Sequence, residues 1–476
     1  MRWRRVVAAA ILVFLVACES DGPEPSVLPP RSPAATPTSE DTSVIALIAS
    51  ATGEFGSGWA DAAFRGADLA VSQLNRTREK GDPVIELVTL DDGGDPSEAT
   101  RLVEEQASSE RTLGVVYAGP PNGLPPAEDA LAEAGIPALL CYGDLYSARL
   151  LSPHVFQISP PYLWQGRSIA RYLLGDRRYR RIGLLTVSSW SGRVARTALR
   201  QAFAERDARL AAVISARPAG SDLRRSLRKL RRQRVEAIVV EAPPPLGYRI
   251  AQLLTQQGHA YKTTARARIA SASSPRKARA HAQAWRPQVI GFDPLFGPVG
   301  PPLPPGTSVA ETYAAGAHYL PIPSFVGFRE AYSNWWDSEP LESELRAYEA
   351  VRLIGWANRQ ADGDQDLARV LETLTRERFG GLDVTFGPDD HTSVDPTTVG
   401  LWVVPRRGAA REASRLPGTL PWVPLGRGFS IDGERTQIQA RDWKFLFRGA
   451  PPKNRPAPRI HRSRFGVTSP RSDPVH

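Results

Sequence analysis

From Val44 onward the chain alternates short, wholly apolar runs with amphipathic segments of helical period, and no other feature restricts the fold as much. "VIALIAS", "VIELVTLDD", "LGVVYAG", "IPALLCYG" and "HVFQIS" read as strands. Between them, "AAFRGADLAVSQLN", "DPSEATRLVEEQAS", "PPAEDALAEAG" and "QGRSIARYLLGD" read as helices. In the first helix Phe64, Ala67, Leu69, Ala70 and Leu74 fall near one face. The second has Asp95 as N-cap, Pro96 in the first position and Glu98 three residues past the cap. "RIGLLTVSSW", "AIVVEAP" and "QVIGFDPLFG" continue the cycle. Strands apolar on both faces belong to a parallel sheet covered on both sides. There are too many for one sheet, so the expected fold class is α/β with two lobes, each a parallel sheet flanked by helices.

Such sheets also say where a ligand goes. Loops at the carboxyl ends of the strands converge on a crevice where helix N-termini supply N–H donors. "TGEFGSGW", residues 52–59, is the first of these loops. Its glycines let the backbone approach a ligand, and Trp59 offers an apolar face.

The two ends of the chain differ from this body. "MRWRR" followed by "VVAAAILVF" and "LVAC" has the flanks of a signal peptide and too short an apolar run to span a bilayer. Cys18 directly after Leu-Val-Ala resembles the lipobox of bacterial lipoproteins, so residues 1–18 are read as a lipoprotein signal with Cys18 the acylated residue. Residues 19–42 are a Pro/Ser-rich tether. Residues 406–476 hold 15 basic and 5 acidic side chains, which accounts for the whole formal charge of +10 and leaves the rest balanced. Basicity is therefore no sign of a nucleic-acid groove, and no nucleic-acid partner is expected. Of the two cysteines, acylation removes Cys18, and Cys141 reads as a small buried hydrophobe.

The segments "VIALIASATGEFGSGWADAAFRGADLAVSQLN", "DDGGDPSEATRLVEEQ" and "HVFQISPPYLWQGRSIARYL" resemble type I periplasmic solute-binding proteins, in the leucine/isoleucine/valine-binding branch that feeds ABC transporters. "SVAETYAAGAHY", "FREAYSNWW", "ELRAYEAVRLIGWA" and "VTFGPDDHTSVDPTTVGLWVV" extend the likeness to about residue 404. The resemblance implies a two-lobed clamshell crossed three times, near His154–Pro161, Gly306–Tyr313 and Gly380–Asp389. Lobe 1 is then 43–158 plus 312–384, and lobe 2 is 159–311 plus 385–404 with a basic insertion at 263–286. Residues 405–450 are expected to pack on a lobe, and 451–476 reads as disorder.

Relatives that bind amino acids hold the carboxylate with hydroxyls and N–H groups after the third and fourth strands. Here those loops carry Asn122, Tyr142, Gly143 and Asp144, so a carboxylate stands where a hydroxyl is expected. On the other lobe the resemblance places Trp190 beside the ligand and Asp293 against its ammonium, while Glu241 is a further acid at a strand end. A cleft lined by Trp59, Tyr142 and Trp190 with two or three carboxylates suits a cationic, amide-like or polyhydroxylated small molecule.

Other signals lead nowhere. "DDGGDPSE" lacks the twelfth-position glutamate of a calcium loop and is better explained by capping. The seven histidines show no metal spacing, "GEFGSG" has no Lys-Ser/Thr of a phosphate loop, and no nucleophile–base pair is visible. In "LRRSLRKLRRQR", Leu223, Leu227 and Leu230 share a helical face, which leaves a solvated basic face opposite. No cofactor, metal or enzymatic activity is expected. The expected role is a lipid-anchored receptor on the extracytoplasmic face of the cell membrane, capturing a small ligand for an ABC permease. A lipoprotein of this fold that recruits a cell-envelope enzyme, or a ligand sensor, remains the alternative.

Overall fold

A computed structural model describes residues 42–52, 57–119, 127–141, 152–217, 220–242, 285, 287–292, 308–311, 323–338, 340, 342–363, 365–381, 383–393, 399–403 and 423–425, with isolated positions between 246 and 254. Two sheets organise them. The first has strands β1 (Thr42–Ala49), β2 (Val84–Asp91), β3 (Thr112–Ala118), β4 (Ala138–Leu140) and β5 (Val155–Gln157), in the order β2-β1-β3-β4-β5 and parallel throughout. Helices α1 (Ser57–Thr77), α2 (Pro96–Ala107) and α3 (Glu128–Ala134) make its crossovers. β1 and β3 are buried over most of their length, as runs apolar on both faces require, while the edge strand β2 is partly exposed.

The second sheet has the order β12-β11-β10-β9-β8-β6-β7. β6 (Ile182–Val187), β7 (Ala212–Ala216), β8 (Ala237–Glu241), β9 (Gln288–Gly291) and β10 (Ser308–Glu311) are parallel. β11 (Gly400–Val403) and β12 (Val423–Leu425) join antiparallel at the edge. Helices α4 (Tyr162–Ala170, continued by one π-turn to Asp176), α5 (Trp190–Ala204) and α6 (Leu223–Arg232) serve this sheet. A Cβ on Gly166 would stand 3.4 Å from the Ala198 carbonyl, which is how closely α4 packs on α5. The chain therefore folds as two α/β lobes.

α7 (Pro323–Trp336), α8 (Glu342–Gln360) and α9 (Leu367–Leu371) return to the first lobe. α8 is buried along most of its length and lies against α1. A Cβ on Gly66 of α1 would sit 1.9 Å from the Glu344 carbonyl oxygen, and one on Gly355 of α8 would sit 2.6 Å from a Leu74 methyl. Two glycines on opposite helices thus set the spacing.

Crossing segments are paired at the backbone. The Gln157 amide donates to the His391 carbonyl at 2.8 Å, and the Ser393 amide donates to the Gln157 carbonyl at 2.9 Å. The Ser393 hydroxyl donates to the Ile158 carbonyl. The His391 ring stacks on Phe156 at 4.2 Å and turns Nδ1 toward the carbonyls of Ser152 and Val155. Pro160 and Pro161 then carry the chain into α4.

One expectation is corrected. α1 begins at Ser57, so Gly58 and Trp59 lie in its first turn rather than in a loop. The buried stripe runs Ala60, Ala63, Ala67, Ala70, Leu74 and so starts a turn earlier than Phe64 suggested.

Gly66→Ala should destabilise the chain by about 3 kcal/mol or more, since backbone on α8 blocks the added methyl. Gly327→Ala, at an exposed position on α7, meets no atom within 4 Å and should be neutral or slightly stabilising. Urea unfolding of both variants checks this, and equal effects at the two positions would contradict the packing described.

Candidate functional site

The carboxyl ends of β1, β2 and β3 meet at two adjacent aspartates. Asp91 accepts from the amides of Ala51, Thr52 and Gly93 and from the Thr52 hydroxyl at 2.8 Å. Partial burial pushes its pKa up, but these hydrogen bonds outweigh that and hold it below the usual carboxylate value. Asp92 is buried and accepts from the Ser50 hydroxyl at 2.6 Å, the Gly94 amide at 2.8 Å and the Tyr117 hydroxyl at 3.1 Å. A Cβ on Gly119, three residues before Asn122, would lie 2.4 Å from Asp92 Oδ2. Asp95 caps α2 through the Ser97 amide. "DDGGDPSE" is thus a brace and a cap, with its carboxylates spent on backbone amides, neighbouring hydroxyls and Arg101.

At the end of β4 a buried arginine appears. Arg346 of α8 donates to the Cys141 carbonyl at 3.1 Å and pairs with Glu342 one turn earlier. Cys141 stands just before the segment that contains Tyr142, Gly143 and Asp144. Burial pushes the Cys141 thiol up to about 12, which keeps it inert at neutral pH. Glu349, farther along α8, is raised to about 7 by burial; the Gly381 amide, the Arg346 charge and the Gly380 amide oppose the rise.

On the second lobe the carboxyl edge is rich in hydroxyls. Ser189 caps α5 by accepting from the Gly192 amide, and its hydroxyl lies 2.9 Å from that of Ser191. Ser188 and Ser215 are 3.1 Å apart across the ends of β6 and β7. Glu241 closes β8 beneath this turn and is 1% exposed. Burial raises its pKa from 4.5 to about 7, against the opposing influence of the Ser191 hydroxyl, the Val187 amide and the Tyr162 hydroxyl. Among the described residues Oε2 makes no hydrogen bond. Tyr162, at the start of α4, meets Phe292 edge-on at 4.9 Å.

Among the candidates read from the sequence, Glu241 and the backbone of Trp190 come together where β8 ends and α5 begins. Trp59 is half-buried in α1 on the other lobe. Asn122, Tyr142, Gly143, Asp144, Asp293, Cys18 and the side chain of Trp190 lie outside the described residues. Sequence reasoning missed Asp92, Tyr162 and Arg346. The Glu342/Arg346 spacing of four inside "ESELRAYEAVRLIGWA" was a usable signal for the last of these. Among the described residues no group of His, Cys, Asp and Glu is placed to hold a metal, and no helix is long and apolar enough to cross a membrane.

Residues 42–404 match the family model described as periplasmic binding protein, so the chain belongs to that family. Solved structures share the fold at low identity. A periplasmic binding protein type 1 from Bordetella pertussis has 17% identity and a TM-score of 0.64, covering 81% of this chain and 100% of its own. The branched-chain amino acid transporter substrate-binding protein LivJ from Streptococcus pneumoniae, in complex with isoleucine, has 16% identity, a TM-score of 0.59 and coverage of 81% and 100%. A solute-binding protein of an ABC transporter from Rhodopseudomonas palustris, in complex with 3,4-dihydroxybenzoic acid, has 15% identity, a TM-score of 0.62 and coverage of 83% and 99%. No curated protein matches the chain.

Glu241 makes stability depend on pH in a definite direction. Between its ordinary 4.5 and its folded value of about 7 the native state holds a proton that the unfolded chain releases, so stability falls as pH rises through that window. Below 4.5 both states are protonated and the difference vanishes. Two and a half units correspond to roughly 3 kcal/mol. Glu241→Gln should remove about that much of the drop between pH 5 and pH 8 and leave the share due to Glu349. An unaltered pH profile in urea titrations would mean that Glu241 is ionised in the native state across the range.

Proposed function

We propose that this chain is an extracytoplasmic solute receptor, anchored by lipid at Cys18, that closes its two lobes on a small polar ligand and presents it to an ABC-type permease. The ligand class is an amino acid, an amide or a related amine. The observation that carries this reading is the buried Glu241 carboxyl beside the serine-rich first turn of α5, with Oε2 awaiting a donor. An N–H-bearing ligand supplies that donor, and a cationic one does so most strongly. Asp293 and Asp144 add acceptors from the two lobes in the same proposal. Trp59, Tyr142 and Trp190 supply apolar faces, and Asn122 and the Gly143 backbone supply polar contacts.

The relatives add weight in kind. The Streptococcus pneumoniae protein holds isoleucine, and the Rhodopseudomonas palustris protein holds an aromatic acid. The fold therefore accommodates small ligands of different polarity, and the lining decides among them. The mechanism is hinge closure: ligand favours the closed state by its differential affinity, with no bond made or broken.

Thermal-shift screening of the full chain against amino acids, amides, polyamines and sugars tests the reading. A ligand at 100 times its Kd should stabilise by about 2.7 kcal/mol, which appears as a rise of several degrees. With an amine ligand near pH 6.5, binding should release a proton from Glu241, seen as a buffer-dependent calorimetric enthalpy that Glu241→Gln abolishes. A screen in which no compound moves the transition overturns the receptor reading. For the anchor, Cys18→Ala should shift the protein out of the membrane fraction, whereas an unmodified N-terminal mass in the wild type would sink it.

A further inference from the structure

The folded body has a lopsided distribution of charge although its formal sum is near zero. Residues 176–181 and 222–236 together hold eleven basic and three acidic side chains. The fold brings these stretches to one place. β6 and β8 are neighbours with Ile182 opposite Ala237, so the residues just before both strands share the amino-terminal edge of the second sheet. The Arg181 guanidinium donates to the Gln233 carbonyl, and the Glu236 amide donates to the Arg181 carbonyl at 2.7 Å. That edge lies opposite the carboxyl ends where Glu241 and the first turn of α5 are found.

α6 faces outward with its cations. Leu223, Ser226, Leu227 and Leu230 are buried, which leaves the opposite surface to arginine and lysine. Arg224, Arg225, Arg228, Lys229 and Arg232 are exposed and form no ion pair with the described residues. Local acids do little to neutralise them. Glu236 accepts from the amides of Arg180 and Arg181 at 2.7 and 2.9 Å, and Asp222 accepts from the Arg217 amide at 2.9 Å.

We infer that the outer face of α6, with the adjoining 177–181 segment, is a docking surface for an anionic lipid bilayer. The exposed face of α6 carries no aromatic or aliphatic anchor of the kind that dominates protein interfaces, and no aromatic ring on which a nucleic-acid base stacks. What it offers is charge spread over ten residues of helix, and a diffuse anionic surface matches that. The proposed anchor supplies the proximity: 23 residues separate Cys18 from Thr42, at most roughly 70 Å of extended chain, so the body stays within reach of the headgroups. Docking through this edge leaves the carboxyl edge of the second sheet open to solvent for capture, and handover to a permease follows release from this docked state. The inference rests on the lipid-anchored reading for its setting and not on the identity of any solute.

The test uses the full chain with Cys18→Ser, so that acylation cannot hold it on lipid, and vesicles of phosphatidylcholine with or without 30% phosphatidylglycerol. Sedimentation should show binding to the anionic vesicles that weakens with salt. Replacing Arg224, Arg225, Arg228 and Arg232 together by Gln should weaken it at least tenfold, because each cation near such a surface is worth several-fold in partitioning. The same four positions as Lys should bind within about twofold of the parent, since a bilayer reads charge and not guanidinium geometry. Arg455, Arg459, Arg462 and Arg464 changed together to Gln control for the basic tail and should lose less than half of the binding. Circular dichroism melts confirm that each variant is folded.

Loss in the tail variant with none in the α6 variant overturns the inference in favour of the tail. A collapse of binding in the Lys variant overturns it in favour of a partner read by arginine geometry, and so does α6-dependent binding to polyglutamate without binding to vesicles. Solute-induced thermal shifts in the α6 variant should equal those of the parent, so failure of the lipid surface and failure of the receptor reading are separately visible.

Discussion

The contact between α1 and α8 is the constraint on which the rest depends. α1 follows the first strand directly, whereas α8 is made of residues 342–360, after the chain has built most of the second sheet. Gly66 and Gly355 let the two helices approach until backbone and side chain nearly touch. The first lobe is therefore incomplete until the chain has gone out and come back, which makes the crossings obligatory and fixes the order in which the lobes are completed. The parallel bridge of Gln157 with Thr392 is the same constraint seen at the waist, joining segments over 200 positions apart. Long-range pairing of this kind forms late, after loop-closure entropy has been overcome.

Within that frame, carboxylates are sorted by what surrounds them. Asp91 is ringed by amides and a hydroxyl and stays ionised easily. Glu241 and Glu349 lie in drier places with fewer compensating donors, and both rise to about 7. The first kind holds the ends of strands together. The second keeps a proton near neutrality, and a group poised there answers to a neighbouring charge. The amides of Gly380 and Gly381 oppose the rise at Glu349, so its charge is coupled to backbone beyond α9.

The fold was largely legible because its signal is periodic. Apolar runs such as "VIALIAS" have room for no other reading than a buried strand, and the "DPSEATRLVEEQAS" cap was visible residue by residue. Leu223, Leu227 and Leu230 are buried as their spacing predicts. The start of α1 reads as loop in the sequence because alanines carry little hydrophobic contrast: Ala60 and Ala63 continue the buried stripe, yet the glycines before them resemble loop. The site was less legible for a physical reason. Asp92 and Tyr117 are 25 positions apart and meet only when β2 and β3 flank β1, while Arg346 reaches Cys141 across 205 positions. No spacing within one segment encodes such meetings. Of the proposed ligand contacts, Glu241 owes its importance to burial, which composition at a strand end does not reveal.

Closure in the proposed receptor has to respect the waist. The hydrogen bonds between Gln157 and residues 391–393 are local to the crossing strands, so a hinge motion keeps them and bends at their ends. Pro160 and Pro161 have fixed φ and no amide hydrogen, which makes the lead into α4 stiff. The Gln165 side chain ties that lead down by donating to the Pro160 carbonyl at 2.8 Å. Tyr162 begins α4 immediately beyond the stiff lead, and its hydroxyl acts on the Glu241 carboxyl. Rotation at the waist thus moves Tyr162 with the second lobe as a unit, and the hydroxyl-rich edge arrives at the first lobe already assembled. A preassembled edge leaves the ligand to supply only the differential affinity that selects the closed state, with little ordering of side chains to offset it.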